Sequence, residues 1–285
     1  MLKYRLLFGT LMTLFFGGVT LLDGWLDGSL TQGAADKRVQ GTILFVLVML
    51  LAIPAQYEFS RLAQRKGIRI FLPVSIVSSM LLAGTWYWPQ LLTVEPAVYV
   101  SVVMALTVLA LFVYQYYSYG TAGVIANCGG NCFSVLYLGL LSSFVIAIRV
   151  EFGVWAVLMY IFVVKSSDIG AYALGMLFGR HKFSPRISPG KTWEGMGGAV
   201  LAAIIVSVTF SAISGIMPWL PAFLFGFCFA FIGQLADLAE SMIKRDAEQK
   251  DSASNVPGFG GILDVIDSPL GSAVFAYLFF LVSLK

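Results

Sequence analysis

The chain has 285 residues, of which 59% are hydrophobic and only 12% charged, with a net charge of +3. Water-soluble domains are about 45 to 50% apolar, so this composition excludes a soluble protein and predicts an integral membrane protein. Three cysteines and one histidine exclude a disulfide framework and a histidine-rich metal site. A metal ion would therefore need oxygen ligands, which favours Mg²⁺ or a similar hard cation.

Nine apolar stretches have the length that crosses a bilayer, about 17 to 25 residues, and predict an all-α polytopic membrane protein with nine transmembrane helices. The predicted spans lie near residues 6–22, 40–57, 70–88, 97–118, 131–148, 153–178, 197–216, 219–242 and 268–284. No linker or internal repeat divides the chain, so we expect one membrane domain over residues 1–285. Residues 1–130 are predicted to be mainly scaffold with almost no buried charge, and residues 153–268 to form the catalytic region.

The loops that carry Lys and Arg predict the orientation of the chain, because such loops face the cytoplasm. With a cytoplasmic N-terminus, 13 of the 18 basic residues fall in cytoplasmic segments. Residues 58–69 form one such segment, which we interpret as a topology determinant in contact with anionic lipid. We therefore predict a multi-pass protein of the cell (inner) membrane, with polar loops at 180–194 and 243–267 both facing the cytoplasm.

The sixth predicted span contains Lys165 and Asp168, which lie one helical turn apart. Ionisable side chains inside a membrane are costly and are usually functional. An internal ion pair that only neutralises itself is the alternative. We favour a site role and expect Asp168 to line a pocket.

A basic loop follows this span, and its core is the run S-P-G-K-T-W-E-G from Ser188 to Gly195. The loop is not a Walker phosphate-binding loop, because Pro185 occupies a required glycine position and no strand precedes it. A lysine and backbone amides in such a loop still suit phosphate groups. A positive-inside anchor would explain the charges but not the order of the residues, so we favour substrate binding.

The acidic residues are concentrated near the C-terminus, where residues 237–267 hold seven of the chain's 15. On a helix, Asp237, Glu240 and Lys244 share one face with Ser241. A glycine-rich turn at 257–261 and two further aspartates follow. Carboxylates on two elements, joined by a glycine hinge and mixed with cations, suit a divalent metal that holds a polyphosphate.

These motifs resemble those of the phosphatidate cytidylyltransferase (CDP-diacylglycerol synthase) family. The resemblance rests on S-x-x-K-R-x4-K-D from Ser241, on P-G-x-G-G-x-x-D-x-x-D from Pro257, and on the S-P-x-K-T-W-E-G run. The family pattern has His where this chain has Phe259 and Arg where it has Val265. We expect Phe259 to pack the loop against the lipid-facing mouth of the site, and Arg180 or Arg186 to supply the missing charge.

The resemblance implies a Mg²⁺-dependent enzyme, with a second cation left open, that transfers the cytidylyl group of CTP to phosphatidate and releases pyrophosphate in phospholipid synthesis. It also implies a homodimer in contact with membrane lipid, and we expect no nucleic-acid partner. The predicted metal ligands are Asp237, Asp264 and Asp267. The predicted catalytic residues are Asp168, Lys244, Arg245, Lys250 and Asp251. The predicted substrate-binding residues are Arg186, Ser188, Lys191, Thr192, Gly260 and Gly261.

Three other classes of membrane protein share some of these sequence features. A CTP-dependent lipid or polyprenol kinase would transfer the γ-phosphate and release CDP. An ion-coupled transporter also keeps charges in its spans, but it would show inverted repeats. A CDP-alcohol phosphatidyltransferase would carry the run D-x2-D-G-x2-A-R, which this chain lacks.

Overall fold

A computed structural model describes residues 2–30, 39–253 and 260–284, with side chains from residue 11 onward. In these ranges the chain forms eleven α-helices and one short π-helix, with no β-strand. They are α1 (Leu2–Leu26), α2 (Thr42–Arg65), α3 (Leu72–Ala83), α4 (Pro89–Leu92), α5 (Pro96–Tyr119), α6 (Val124–Val135), the π-helix (Leu136–Leu140), α7 (Leu141–Phe152), α8 (Val154–Phe178), α9 (Trp193–Ser214), α10 (Trp219–Asp246) and α11 (Ile262–Ser283). The predicted all-α fold is confirmed.

Seven helical segments of the described chain are long and apolar enough to cross a membrane. They are α2, α5, α8, α9, α10, α11 and the continuous 29-residue segment Val124–Phe152, which joins α6, the π-helix and α7. Two shorter apolar segments, Leu11–Leu26 and Leu72–Ala83, coincide with the first and third predicted spans. The protein is therefore a multi-pass membrane protein, and the count of nine spans stays a prediction.

Helix α8 lies in the centre of the helical bundle. Most side chains between Val154 and Val164 are buried, as expected of a helix that is apolar on all sides. Its second half packs closely on α9, because a Cβ atom on Gly170 would lie only 2.4 Å from the carbonyl oxygen of Gly198. Small residues at such crossings let transmembrane backbones approach each other, so α8 and α9 hold a fixed position beside α10.

Three buried ionic side chains join α1, α2 and α7 near the N-terminal end of α8. Arg149 Nε donates to Asp23 Oδ2 at 2.8 Å, and Nη2 donates to Asp27 Oδ2 at 2.5 Å. Asp23 Oδ1 also accepts a hydrogen bond from the backbone N–H of Ile43, in the first turn of α2, at 2.7 Å. Helices α1 and α2 continue past the predicted span ends, and these extensions carry buried carboxylates on Asp23 and Glu58. Asp27, directly after the end of α1, is buried too. The expected near-absence of buried charge therefore does not extend to the ends of these helices.

The two polar loops meet at the other end of the bundle. Arg245 Nε donates to the carbonyl oxygen of Ile187 at 2.9 Å, which joins the end of α10 to the loop before α9. The C-terminal end of α2 lies on this side too, because Lys66, directly after α2, forms an ion pair with Asp246 at 3.3 Å. Three residues later the guanidinium of Arg69 stacks on the ring of Tyr119 at 4.5 Å. The C-terminal end of α5 therefore also lies on this side. The start of α5, after Glu95, is consequently at the opposite end.

Candidate active site

Three carboxylates from α10 and α11 meet beneath the polar loops. Asp237 and Glu240 lie one turn apart on α10, and Asp267 lies in the second turn of α11. One oxygen atom from each residue lies within 4.8 Å of the other two. Glu240 is fully buried, and its Oε1 atom has no hydrogen-bond donor among the described residues. Asp267 is buried as well, and Asp237 is half-buried. An oxygen-only donor set with an unsatisfied oxygen is of the kind that hard divalent cations prefer. We name these residues the carboxylate cluster.

Of the predicted metal ligands, Asp264 lies outside the carboxylate cluster and is engaged by other groups. Its Oδ1 atom contacts Lys244 Nζ at 2.5 Å. Its Oδ2 atom accepts hydrogen bonds from Ser252 N at 2.9 Å, Ser252 Oγ at 2.8 Å and Gly261 N at 2.7 Å. Asp264 therefore ties Ser252, after α10, to Gly261, before α11. Glu240, which the sequence placed on one helix face with Asp237 but did not assign as a metal ligand, takes the third position of the cluster.

Lys244 lies between two acidic side chains on different helices. Its Nζ atom contacts the Glu240 carboxylate one turn back on α10 and the Asp264 carboxylate on α11. Its side chain is 9% exposed, so water screens this charge weakly. Lys244 thus joins α10 to α11 while it compensates the charge of the cluster.

A buried glutamate from α2 caps the N-terminus of α11. Glu58 accepts hydrogen bonds from the backbone N–H groups of Ile262 at 3.0 Å and Leu263 at 2.9 Å, and from Ser252 Oγ at 3.0 Å. The first N–H groups of a helix lack intrahelical partners, and a negative charge beside them is favourable. The interpretation of residues 58–69 as a surface topology segment is therefore wrong for Glu58, which belongs to the support of the site.

The glycines before α11 let the chain pass close to these carboxylates. Gly260 has a φ of 101°, a conformation that favours glycine. A Cβ atom on Gly260 would also lie 2.5 Å from Asp264 Oδ2. Gly261 is buried and donates its N–H to the same carboxylate. Phe259 lies outside the described residues.

Helix α8 contributes Lys165 and Asp168 to the same region. Lys165 Nζ donates to the carbonyl oxygen of Val265 at 2.8 Å and lies 3.6 Å from Asp168 Oδ2. That carbonyl has no partner within α11, because Pro269, four residues later, has no N–H group. Gln234 Nε2, on α10, donates to Asp168 Oδ1 at 3.3 Å. Lys165 and Asp168 therefore form an ion pair, and this pair lies against α10 and α11 rather than isolated in lipid.

The basic loop reaches the carboxylate cluster through Lys191. Its Nζ atom lies 2.8 Å from Asp237 Oδ2 and donates to the Gln234 carbonyl oxygen at 2.9 Å. The next residue, Thr192, is buried and caps α9 by accepting a hydrogen bond from Gly195 N at 3.1 Å. The cap fixes where α9 begins, and so holds Lys191 at the cluster.

The remaining predicted residues lie towards the outside of the loops. Arg245 is exposed and donates to the carbonyl oxygens of Ile187 and Gln249, both at 2.9 Å. Three other predicted residues are exposed, namely Arg186, Lys250 and Asp251, and Ser188 is half-buried. No described contact joins them to the carboxylate cluster.

Negative charge exceeds positive charge in this region. The acidic side chains are Asp168, Asp237, Glu240, Asp264 and Asp267, and the basic ones are Lys165, Lys191 and Lys244. Buried charge without a counter-charge is strongly unfavourable. Among these eight side chains the carboxylates exceed the ammonium groups by two, and the buried Glu58 adds a third carboxylate, so a bound cation would reduce the net negative charge of the region.

Two comparisons with known proteins, one with family models and one with individual relatives, agree on one family. The family model described as the cytidylyltransferase family matches residues 38–283. The chain is 42% identical over 125 residues to a Mycobacterium bovis protein, 36% over 154 residues to a Bacillus subtilis protein, and 33% over 234 residues to a Staphylococcus epidermidis protein. Each is named phosphatidate cytidylyltransferase. The alignments cover 44%, 53% and 80% of this chain. The chain spans 40% of the mycobacterial protein, 56% of the Bacillus protein and 86% of the staphylococcal protein.

We expect Glu58→Ala to loosen the first turn of α11, because it leaves the amides of Ile262 and Leu263 without acceptors. Unsatisfied buried groups cost about 1 to 3 kcal/mol each, so hydrogen–deuterium exchange in peptides covering residues 261–270 should accelerate about tenfold or more. Glu95→Ala, at an exposed glutamate, serves as the control and should leave this exchange unchanged. Equal exchange rates in Glu58→Ala and the unmodified protein would contradict the capping role.

Proposed function

This chain belongs to the cytidylyltransferase family, as its motifs predicted, and from this membership and the geometry of the site we propose that it transfers the cytidylyl group of CTP to phosphatidate. The products are CDP-diacylglycerol and pyrophosphate. The names of the relatives support this choice of substrates. One observation carries it most directly: Lys191 of the basic loop contacts Asp237 of the carboxylate cluster, so the two motif regions form one site.

In the proposed reaction, an oxygen of the phosphatidate phosphate attacks the α-phosphorus of CTP. The bond from that phosphorus to the oxygen that bridges the β-phosphate breaks, and pyrophosphate leaves with this oxygen. Such transfers need little covalent chemistry from the protein, which contributes positioning and charge stabilisation. No covalent intermediate with a side chain is required.

We propose that Asp237, Glu240 and Asp267 hold Mg²⁺, with a second cation left open. When bound, Mg²⁺ stabilises the negative charge that develops on the phosphate oxygens. Lys191 contacts Asp237 and Lys165 contacts Asp168, and we assign these lysines to the phosphates of CTP and phosphatidate. Lys244 instead keeps α10 and α11 together, because its ammonium group is shared by Glu240 and Asp264.

The competing classes differ in their products. A lipid kinase would place the γ-phosphate of CTP on the lipid, and a transporter would consume no CTP. We also propose that the site faces the cytoplasm, where CTP is present. A homodimer stays a prediction, which the mass of the detergent-purified protein tests.

Two labelled forms of CTP distinguish the proposed reaction from the kinase reaction. With purified protein, phosphatidate and Mg²⁺, label on the α-phosphorus should enter the lipid, and label on the γ-phosphorus should appear in pyrophosphate. Lys191→Ala should lower the rate about 10²-fold or more, as expected for loss of one stabilising donor. Lys182→Ala, which removes an exposed lysine of the same loop, should change the rate less than about threefold. Transfer of γ-label to the lipid would overturn the proposal.

Cysteine labelling tests the orientation of the site. Cys128, Cys132 and Cys228 are first replaced by Ser, and a single cysteine is then introduced as Gly190→Cys in the basic loop or Glu95→Cys at the opposite end. A Cβ atom on Gly190 has no neighbour within 4 Å, so this position accepts the change. An impermeant maleimide should label Glu95→Cys in intact cells and Gly190→Cys only after permeabilisation. The reverse pattern would place the site on the outer face.

A further inference from the structure

A buried tyrosine of the π-helix lies beside the carboxylate cluster. Tyr137 is 9% exposed, and its hydroxyl oxygen is buried without a hydrogen-bond partner among the described residues. The hydroxyl interacts electrostatically with Asp237, Glu240 and Asp267, most strongly with Asp267. Burial of a hydroxyl without a partner is unfavourable, and a functional role or a bound water or ion is the usual explanation.

The π-helix determines which way this tyrosine points. The backbone N–H of Leu141 donates to the carbonyl oxygen of Leu136, five residues earlier, so this turn holds one residue more than an α-helical turn. One residue corresponds to about 100° of rotation, and the segment before the turn therefore presents a different face from that of a continuous α-helix. Gly139 seats the turn against α3, because a Cβ atom there would lie 2.7 Å from Ser79 Cα. Such π-turns are rare and are frequently found at functional sites.

Packing holds the aromatic ring of Tyr137 independently of the hydroxyl. The ring stacks on that of Phe133, with 5.9 Å between the centroids and 5° between the planes. Tyr137 also belongs to a cluster of buried apolar side chains that includes Leu263 and Leu270 of α11. A phenylalanine would keep these contacts, so the role of the oxygen atom can be separated from that of the ring.

Glu240 supplies a group complementary to the tyrosine hydroxyl. Its Oε1 atom is an acceptor without a donor, and the Tyr137 hydroxyl is a donor without an acceptor, within the part of the chain that the structure describes. The two side chains interact electrostatically but form no direct hydrogen bond. Polar groups at such a separation are commonly joined through a water molecule.

We propose that Tyr137 is a positioning residue of the cation site, where its hydroxyl orients water carried by the bound cation. The inference rests on the cation site of the proposed function. Mg²⁺ loses its water reluctantly and keeps several water molecules in protein sites. A phenol both accepts and donates hydrogen bonds, so the Tyr137 oxygen accepts from such a water while its own proton is directed to Glu240. Groups that orient the ligands of a metal in this way raise its affinity.

Removal of the oxygen atom alone tests the proposal. In Tyr137→Phe, the Mn²⁺ affinity of the purified protein, titrated without nucleotide, should fall about tenfold or more, as is typical when such a group is lost. The midpoint of thermal unfolding of the cation-free protein should be unchanged or higher, because the substitution removes an unpaired buried hydroxyl. Weaker binding with undiminished stability distinguishes a positioning role from a structural one.

Tyr87→Phe is the matched control. Tyr87 is 8% exposed, and its hydroxyl lies 3.2 Å from Thr42 Oγ1. Thr42 begins α2, so this pair lies at the end of the bundle opposite the polar loops. The change removes a hydrogen bond and should lower the unfolding midpoint, while the Mn²⁺ affinity stays unchanged.

Equal Mn²⁺ affinity in Tyr137→Phe and the unmodified protein would overturn the inference and leave the proposed function standing. A lower unfolding midpoint of Tyr137→Phe, or its failure to fold, would mark the hydroxyl as structural and overturn the inference as well. Absence of saturable Mn²⁺ binding to the unmodified protein would instead refute the cation site itself, and the inference with it.

Discussion

Charge compensation by Lys244 is the interaction on which the candidate active site depends. Its ammonium group contacts Glu240 on α10 and Asp264 on α11, and loss of one partner of a buried ion pair is strongly unfavourable. Asp264 in turn accepts hydrogen bonds from Ser252, after α10, and from Gly261, before α11. Glu58 on α2 caps the same helix terminus. The carboxylate cluster therefore keeps its geometry because contacts from three helices converge on the start of α11.

A second constraint arises from the backbone of α11. Inside a membrane, free carbonyl groups need partners within the protein. Pro269 leaves the carbonyl of Val265 without its helical partner, and Lys165 donates to it. The same arrangement holds the ammonium group 3.6 Å from the Asp168 carboxylate, beside α10 and α11. In the proposed reaction a water-soluble nucleotide meets a membrane lipid, so each substrate must reach one site from a different solvent.

The sequence was sufficient where the information was local or followed a motif. Helical spacing placed Asp237 and Glu240 on one face, and the distribution of basic residues indicated that the two polar loops share a side. It was insufficient where a partner lies far along the chain. Glu58 caps Leu263, 205 residues away, and no periodicity relates them. The assignment of Asp264 as a metal ligand likewise depended on the resemblance, and only tertiary packing shows that its oxygens are engaged by Lys244, Ser252 and Gly261.

The proposed divalent-cation site of Asp237, Glu240 and Asp267 can be tested by direct measurement of cation binding. Mn²⁺ binding to the purified protein is measured by electron paramagnetic resonance, without nucleotide and with Mg²⁺ as competitor. We predict one saturable site that Mg²⁺ empties, and an affinity at least about tenfold lower in Glu240→Gln and Asp267→Asn but unchanged in Glu95→Gln. Unaltered affinity in Glu240→Gln, together with a loss in Asp264→Asn, would contradict this ligand set.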